Sequence, residues 1–216
     1  MLCDNLPNLE FLCIERARIN GPAKTLPSTL RKIHIVGIGM PFSNSAFKNL
    51  NALEESGLNG AGVEGIIKTL PATLRKIDIE SGKVKFASSV FENLNALEEL
   101  KLMGVSAEGV IKTLPAALRE ISIRNGGGIT FIDSAFESIS ALEELRLEEV
   151  SVGGVIANLP AMLRKIGFFG KNIALDRAAF GNLDTLEELN ISDDINVEGG
   201  IESLPPVTLK KVRRRK

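Results

Sequence analysis

Three features of the sequence could carry chemistry: a lone histidine, two cysteines and a glycine-rich stretch. His34 is the only histidine, so a histidine-based metal site lacks its second imidazole, and no motif ties a serine nucleophile to it. Cys3 and Cys13 are the only cysteines, fewer than a disulfide-stapled secreted scaffold uses. Cys3 aligns with buried positions and Cys13 with a surface position, so we expect no disulfide between them.

The glycine-rich stretch is GAGVEG at residues 60–65, which matches the G-x-G-x-x-G pattern of dinucleotide-binding turns. Asp78 follows 18 residues after Gly60, near where such folds place the acid that binds the ribose. The equivalent stretch at 103–109 keeps only the last glycine of the pattern, and the next strand follows too soon for a full helix. We therefore expect no cofactor, no catalytic residues and no enzymatic activity.

The elements that position these residues are set by an internal repeat. Leu-Pro pairs recur at spacings of 44, 44, 45 and 45 residues, and each unit contains two segments of the form L-x-x-L-x-L. Positions four and six of each segment are mostly apolar and alternate with polar residues, as a strand with one buried face requires. The segments predict parallel strands at 9–14, 30–35, 53–58, 74–79, 97–102, 118–123, 142–147, 163–168, 186–191 and 209–214.

Other residues repeat in phase with the strands. Phenylalanines recur six and eleven residues before the leading leucine, which predicts buried stacks formed by Phe47, Phe91, Phe136, Phe180 and by Phe42, Phe86, Phe131, with Leu175 in the fourth unit. Glycines at 21, 65, 109, 154 and 199 predict a tight turn or a close backbone approach. Residues 88–94 and 133–139 predict short helices, capped by a serine in the first and by Asp133 or Ser134 in the second.

The ten L-x-x-L-x-L segments, at steps of 21 or of 23 to 24 residues, resemble the leucine-rich repeat family over nearly the whole chain. The Leu-Pro halves resemble repeats of type III-secreted bacterial effectors, and halves such as AFESISALEEL at 135–145 resemble BspA-like and Toll-like repeats. The resemblance implies an α/β fold: a curved leucine-rich-repeat solenoid over residues 1–209, with parallel strands on the concave side and short helices and turns on the convex side. The family's frequent Asn or Cys nine positions into the repeat is replaced by Ala17, Ile38, Ala61, Gly82, Val105, Gly126, Val150, Lys171 and Asp194.

Charges alternate along the array. Position two of the ten segments reads Glu10, Arg31, Glu54, Arg75, Glu98, Arg119, Glu143, Arg164, Glu187 and Lys210. Position three nearly follows, except that Glu120 stands between the acids Glu99 and Glu144. Because neighbouring strands lie about 4.8 Å apart, we expect each acid to face a base on both sides. A charged binding face is the alternative, but so regular an alternation favours an ion-pair ladder that fixes strand order.

Position five of each segment and position seven, the residue directly after the segment, do not repeat. The resemblance implies that ligands meet these positions on the concave face. Unconstrained solvent-facing residues would vary in the same way, so this pattern leaves both interpretations open. Trp and Tyr, two of the residues most enriched in binding hot spots, are absent from the chain. We predict a partner-binding cluster formed by Asp78, Lys101, Met103, Arg124 and Arg146.

The net charge of −1 hides a basic end. Six of the last seven residues are basic, and without them 20 basic residues stand against 27 acidic ones. Residues 210–216 therefore predict a basic end strand and tail, and they support the alternative of a nuclear or nucleic-acid-associated protein. No signal peptide or apolar run long enough to span a bilayer is visible, which favours an intracellular protein.

The sequence thus predicts a non-enzymatic protein–protein recognition module whose partner is a protein, with no small-molecule substrate and no membrane span. Both ends lack polar caps, so we expect a fragment of a larger protein or ends that pack on another surface. The resemblance of the Leu-Pro halves to effector repeats implies a bacterial effector as a further possibility. Ser56 occupies an inward position that is Leu or Ile in most sister strands, and we expect Ser56→Leu to stabilise the fold.

Overall fold

The computed structural model describes residues 6–16, 25–37, 41–198 and 211–215, with only the backbone at residue 41 and in the last segment. In these ranges, nearly all regular structure is short strand. The strands are β1 (Phe11–Glu15), β2 (Lys32–Val36), β3 (Pro41–Ser43), β4 (Glu55–Asn59), β5 (Gly62–Glu64), β6 (Ile66–Ile67), β7 (Lys76–Glu80), β8 (Lys85–Ala87), β9 (Glu99–Met103), β10 (Ser106–Ile111), β11 (Glu120–Arg124), β12 (Gly128–Ile132), β13 (Glu144–Glu148), β14 (Ser151–Gly153), β15 (Val155–Ile156), β16 (Lys165–Phe169), β17 (Ala174–Leu175), β18 (Glu188–Ser192), β19 (Asn196–Val197) and β20 (Lys211–Arg215).

The ten predicted strands form one parallel sheet, the main sheet, in the order β1-β2-β4-β7-β9-β11-β13-β16-β18-β20. Each strand spans positions three to seven of its L-x-x-L-x-L segment and pairs in register with its neighbours, as Asp78 does with Lys101 and Lys101 with Ser122. The last strand, β20 at residues 211–215, pairs with β18. Since chain order and strand order agree, side chains with the same position number follow one another across the sheet.

The remaining strands form smaller parallel sheets along the rest of each coil. Their orders are β14-β12-β10-β8-β6, β15-β17-β19 and β3-β5. The described residues contain no α-helix, and the expected short helices are single 3-10 turns at Asn44–Phe47, Ser88–Phe91, Asp133–Phe136 and Arg177–Phe180. The fold is therefore a parallel β-solenoid of stacked coils with few helices, where the sequence predicted an α/β array.

The predicted side-chain caps of two of these turns are wrong. The residues that precede the second and third turns are Ala87 and Ile132, and neither turn has a side-chain cap. Caps occur instead in the first and fourth turns, where the side chains of Ser43 and Asp176 accept hydrogen bonds from backbone N–H groups two residues on. A turn of four residues has little backbone to satisfy, so it forms without a conserved cap.

The core lies inside the coil and follows the repeat. In β2 to β18, positions four and six of the main-sheet strands are at most 5% exposed. The phenylalanine stacks are buried as predicted, and within three coils the two rings pack at centroid distances of 5.6, 5.6 and 5.2 Å. The exception to the apolar pattern is Ser56, which is buried between Ile33 and Ile77 of the adjacent strands.

Two of the repeated glycines allow a left-handed backbone and a close side-chain contact, where the sequence predicted a tight turn or a close backbone approach. Gly109 and Gly154 have φ values of +87° and +114°, in the left-handed region that favours glycine. A β-carbon at Gly154 would lie 2.7 Å from Asp133 Oδ2, and one at Gly109 would lie 2.8 Å from Ser88 Oγ. Each glycine therefore makes room for a polar side chain from the coil before it. Gly21 and Gly199 lie outside the described residues.

Candidate recognition surface

The surface that can meet a partner is the outer face of the main sheet, defined here as positions three, five and seven of its strands. In β9, for example, Leu100 and Leu102 are buried while Glu99, Lys101 and Met103 are half-buried. Strand geometry places alternate side chains on opposite sides, so the inner positions build the core and the outer positions face away from it. The face is thus a regular grid in which register decides which side chains meet.

Position two supplies a set of ion pairs beside the outer face. We call the charged residues of positions two and three together the charge ladder. Each arginine joins the glutamate of the next strand along the chain; the pairs are Arg31–Glu54, Arg75–Glu98, Arg119–Glu143 and Arg164–Glu187. The Arg75–Glu98 pair, for instance, has an N–O distance of 2.6 Å. The predicted alternation of charge at position two therefore produces ion pairs between neighbouring strands.

Position three adds further pairs and shifts pKa values. Lys76 and Glu99 lie 2.8 Å apart, and their hydrogen bond raises the pKa of the lysine and lowers the pKa of the glutamate. The pKa of Lys165 is raised in the same way by its hydrogen bond to Glu144, with an N–O distance of 2.6 Å. These groups hold opposite charges over a wide pH range, which is what a strand-ordering contact needs.

Glu120 is flanked in register by Glu99 and Glu144, as the sequence predicted. The structure shows how this run of acids is tolerated. Lys101, at position five of the neighbouring strand, places its ammonium 2.8 Å from Glu120 and 3.9 Å from Glu99. A residue predicted to bind a partner therefore also completes the charge ladder.

Four of the five predicted site residues line one depression on the outer face. Asp78, Lys101, Met103 and Arg124 surround a space of about 280 Å³. The sequence analysis did not predict the other polar lining residues, Glu80, Glu120 and Ser122, as members of the binding cluster. Glu80 holds outer position seven and Ser122 holds outer position five. Register places Glu80 beside Met103 and Ser122 beside Lys101. The depression is open to solvent and its lining carries both signs of charge.

Arg146 does not line that depression. It lies beside Ser122 in register, but its guanidinium pairs with Glu148 at 2.6 Å and stacks 4.4 Å from the centroid of the Phe169 ring. Phe169 is only 8% exposed although it holds an outward position, because Gly167 leaves space for its ring. The cation–π contact and the ion pair fix Arg146 within the sheet. The sequence signal for this arrangement was the glycine two residues before an outward phenylalanine.

The other residues considered for chemistry have structural surroundings. His34 is half-buried on the outer face, and its ring lies over Gly57, where a β-carbon would be 2.8 Å from His34 Nδ1. Cys13 is an exposed free thiol, and Cys3 lies outside the described residues. The stretch at 60–65 forms a left-handed turn at Gly60 and then β5, and the strand β6 follows it.

No group of three or more His, Cys, Asp or Glu side chains within the described residues is arranged to hold a metal ion. None of the helical segments in these ranges is long and apolar enough to cross a membrane.

The class that the fold defines is a parallel β-solenoid compatible with a repeat family. In comparisons with known proteins, the chain matches no protein-family model and no curated relative.

Proposed function

We propose that the protein is a non-enzymatic recognition module of leucine-rich-repeat type that binds a protein partner on the outer face of the main sheet, the concave face in that family. One observation carries the proposal. The inner positions and the charge ladder repeat from strand to strand, whereas Asp78, Met103 and Arg124 occupy outer positions whose residue types follow no repeat, and they line one depression. Variation confined to one face of a fixed scaffold is what partner recognition requires.

Site-specific photo-crosslinking tests the proposal. A benzophenone side chain replaces Met103, and the protein is incubated with an extract of the source cells. We expect one protein adduct, which excess unlabelled protein prevents and the Arg124→Glu variant does not. The matched control carries the benzophenone at Lys112, an exposed residue outside the main sheet, and should not form that adduct. Equal adducts at both positions, or competition by Arg124→Glu as strong as by the native chain, would reject the proposed face.

The second candidate, association with nucleic acid through residues 210–216, rests on six basic residues in that segment. Removal of the segment separates the two functions. Under our proposal the Met103 adduct survives the removal, although the main sheet loses β20. Retention of a single-stranded oligonucleotide that depends on the segment, without any Met103 adduct, would favour the second candidate.

A further inference from the structure

A row of three side chains crosses the middle of the outer face. Glu80, Met103 and Arg124 occupy position seven of β7, β9 and β11, and register places Glu80 beside Met103 and Met103 beside Arg124. An acid, a thioether and a base therefore follow one another at the strand spacing of about 4.8 Å. All three line the same depression.

The charges at the two ends of this row are available to a ligand. Both Glu80 and Arg124 are exposed, and neither side chain forms an ion pair or hydrogen bond with another of the described residues. The neighbouring cations differ, because Lys101 is paired with Glu120, and Arg146 with Glu148. Asp78 lies two residues before Glu80 on the same strand and adds negative charge at that end. With Glu120 of β11 paired to Lys101, the remaining charge of the depression is negative at β7, from Asp78 and Glu80, and positive at β11, from Arg124.

The spacing of the two ends matches one repeat of an extended peptide conformation. Glu80 and Arg124 are two strands apart, or about 9.6 Å between backbones. A β-strand repeats the same face every 6.8 Å or so, which is too short, and the next repeat of about 13 Å is too long. A polyproline II helix has three residues per turn and rises about 3.1 Å per residue, so it repeats a face at about 9.3 Å.

We propose that the row binds a linear peptide segment in the polyproline II conformation that carries a basic and an acidic residue three positions apart. The base lies at Glu80 and Asp78, the acid lies at Arg124, and the backbone between them crosses Met103. This inference rests on the proposed function and names the chemistry of its partner. The chain contains no Trp or Tyr to stack on proline rings, so charge supplies the specificity and added salt weakens binding.

Fluorescence anisotropy with synthetic peptides tests the inference. The probes are labelled proline-rich peptides that each contain one Lys and one Glu, in both orders and at separations of two, three and four. We expect the separation of three to bind roughly fivefold more tightly than the other two, the size of one exposed charge pair. The Arg124→Glu variant should instead prefer one additional probe, the peptide of the same separation in which Lys replaces Glu, whereas the control variant Lys112→Glu should keep the original preference.

Three results would overturn the inference: no binding of any peptide, equal binding at all separations, or an unchanged preference in Arg124→Glu. These results leave the proposed function to its own test. A protein adduct at Met103 without any spacing preference would retain the recognition face and reject the linear segment. A spacing preference without a protein adduct would retain the peptide site and reject the extract protein as its source.

Discussion

The Lys101 ammonium lies 2.8 Å from the Glu120 carboxylate, and this contact joins the variable part of the outer face to the charge ladder. Glu120 is the one acid at position three that breaks the alternation, and Lys101 comes from position five, where residues do not repeat. A side chain of the predicted binding cluster therefore also forms an ion pair between strands. Substitution of Lys101 should therefore change stability as well as any partner binding.

The first prediction is a coupling between these two residues. Lys101→Gln should lower the free energy of unfolding by up to about 1 kcal/mol, because Glu120 is left between two acids. Glu120→Lys should be more favourable in the Lys101→Gln background than in the native chain, since it restores the alternation without facing Lys101. Urea denaturation of the four proteins measures the coupling, and strictly additive effects would contradict the assigned contact.

The second prediction concerns the buried serine. Ser56→Leu should raise the free energy of unfolding by roughly 1–2 kcal/mol, because an apolar side chain replaces a hydroxyl between Ile33 and Ile77. The matched control is Leu100→Ser at the same position of β9, which should lose about 2 kcal/mol or more. A melting temperature of Ser56→Leu below that of the native chain would show that the site lacks room for leucine.

The third prediction concerns the repeated glycines. Gly154→Ala should cost about 1–3 kcal/mol, because its φ is +114° and the new carbon would lie 2.7 Å from Asp133 Oδ2. Gly127→Ala is the control, since a β-carbon there meets nothing within 4 Å, and its effect should stay within about 0.5 kcal/mol. Thermal unfolding checks both, and similar melting temperatures for the two variants would contradict this account of the turn.

The fourth prediction follows from the lowered pKa of Glu99, which its hydrogen bond to Lys76 causes. A lowered folded-state pKa gives stability that is present above the unfolded value of 4.5 and is lost as the pH falls through the folded value. The melting-temperature difference between the native chain and Lys76→Met should therefore shrink between about pH 7 and about pH 3. Lys68→Met serves as the control, and a constant difference for Lys76→Met would argue against the pair.

Much of the fold follows from the sequence because periodicity constrains it tightly. The L-x-x-L-x-L segments located the ten strands, and the spacing of Phe47 and Phe91 located a buried stack. The helices were harder to predict. SSVFENL contains helix-favouring residues and a serine that could cap a helix, but the short connection between strands leaves space only for a 3-10 turn. The remaining walls of the coil are short strands such as β10, whose weak apolar pattern gave no strand signal.

The candidate surface was less predictable, since position numbers show which side chains are neighbours but not how they pair. Position five of three successive strands holds Lys101, Ser122 and Arg146, and register places these residues in one row. The stacking of Arg146 on Phe169 depends on the space left by Gly167, which is a three-dimensional relation between two strands. For the same reason Glu80 emerged only when its register with Met103 was known.

The central claim is that repeated positions hold the sheet while variable outer positions recognise the partner. The most direct test compares Arg75→Glu, in the charge ladder, with Arg124→Glu, on the outer face, by melting temperature and by competition for the Met103 adduct. We predict that Arg75→Glu lowers the melting temperature and that the folded variant, kept below that temperature, still competes for the Met103 adduct. Arg124→Glu should have the melting temperature of the native chain and should fail to compete. Loss of competition in Arg75→Glu together with full competition by Arg124→Glu would contradict the claim.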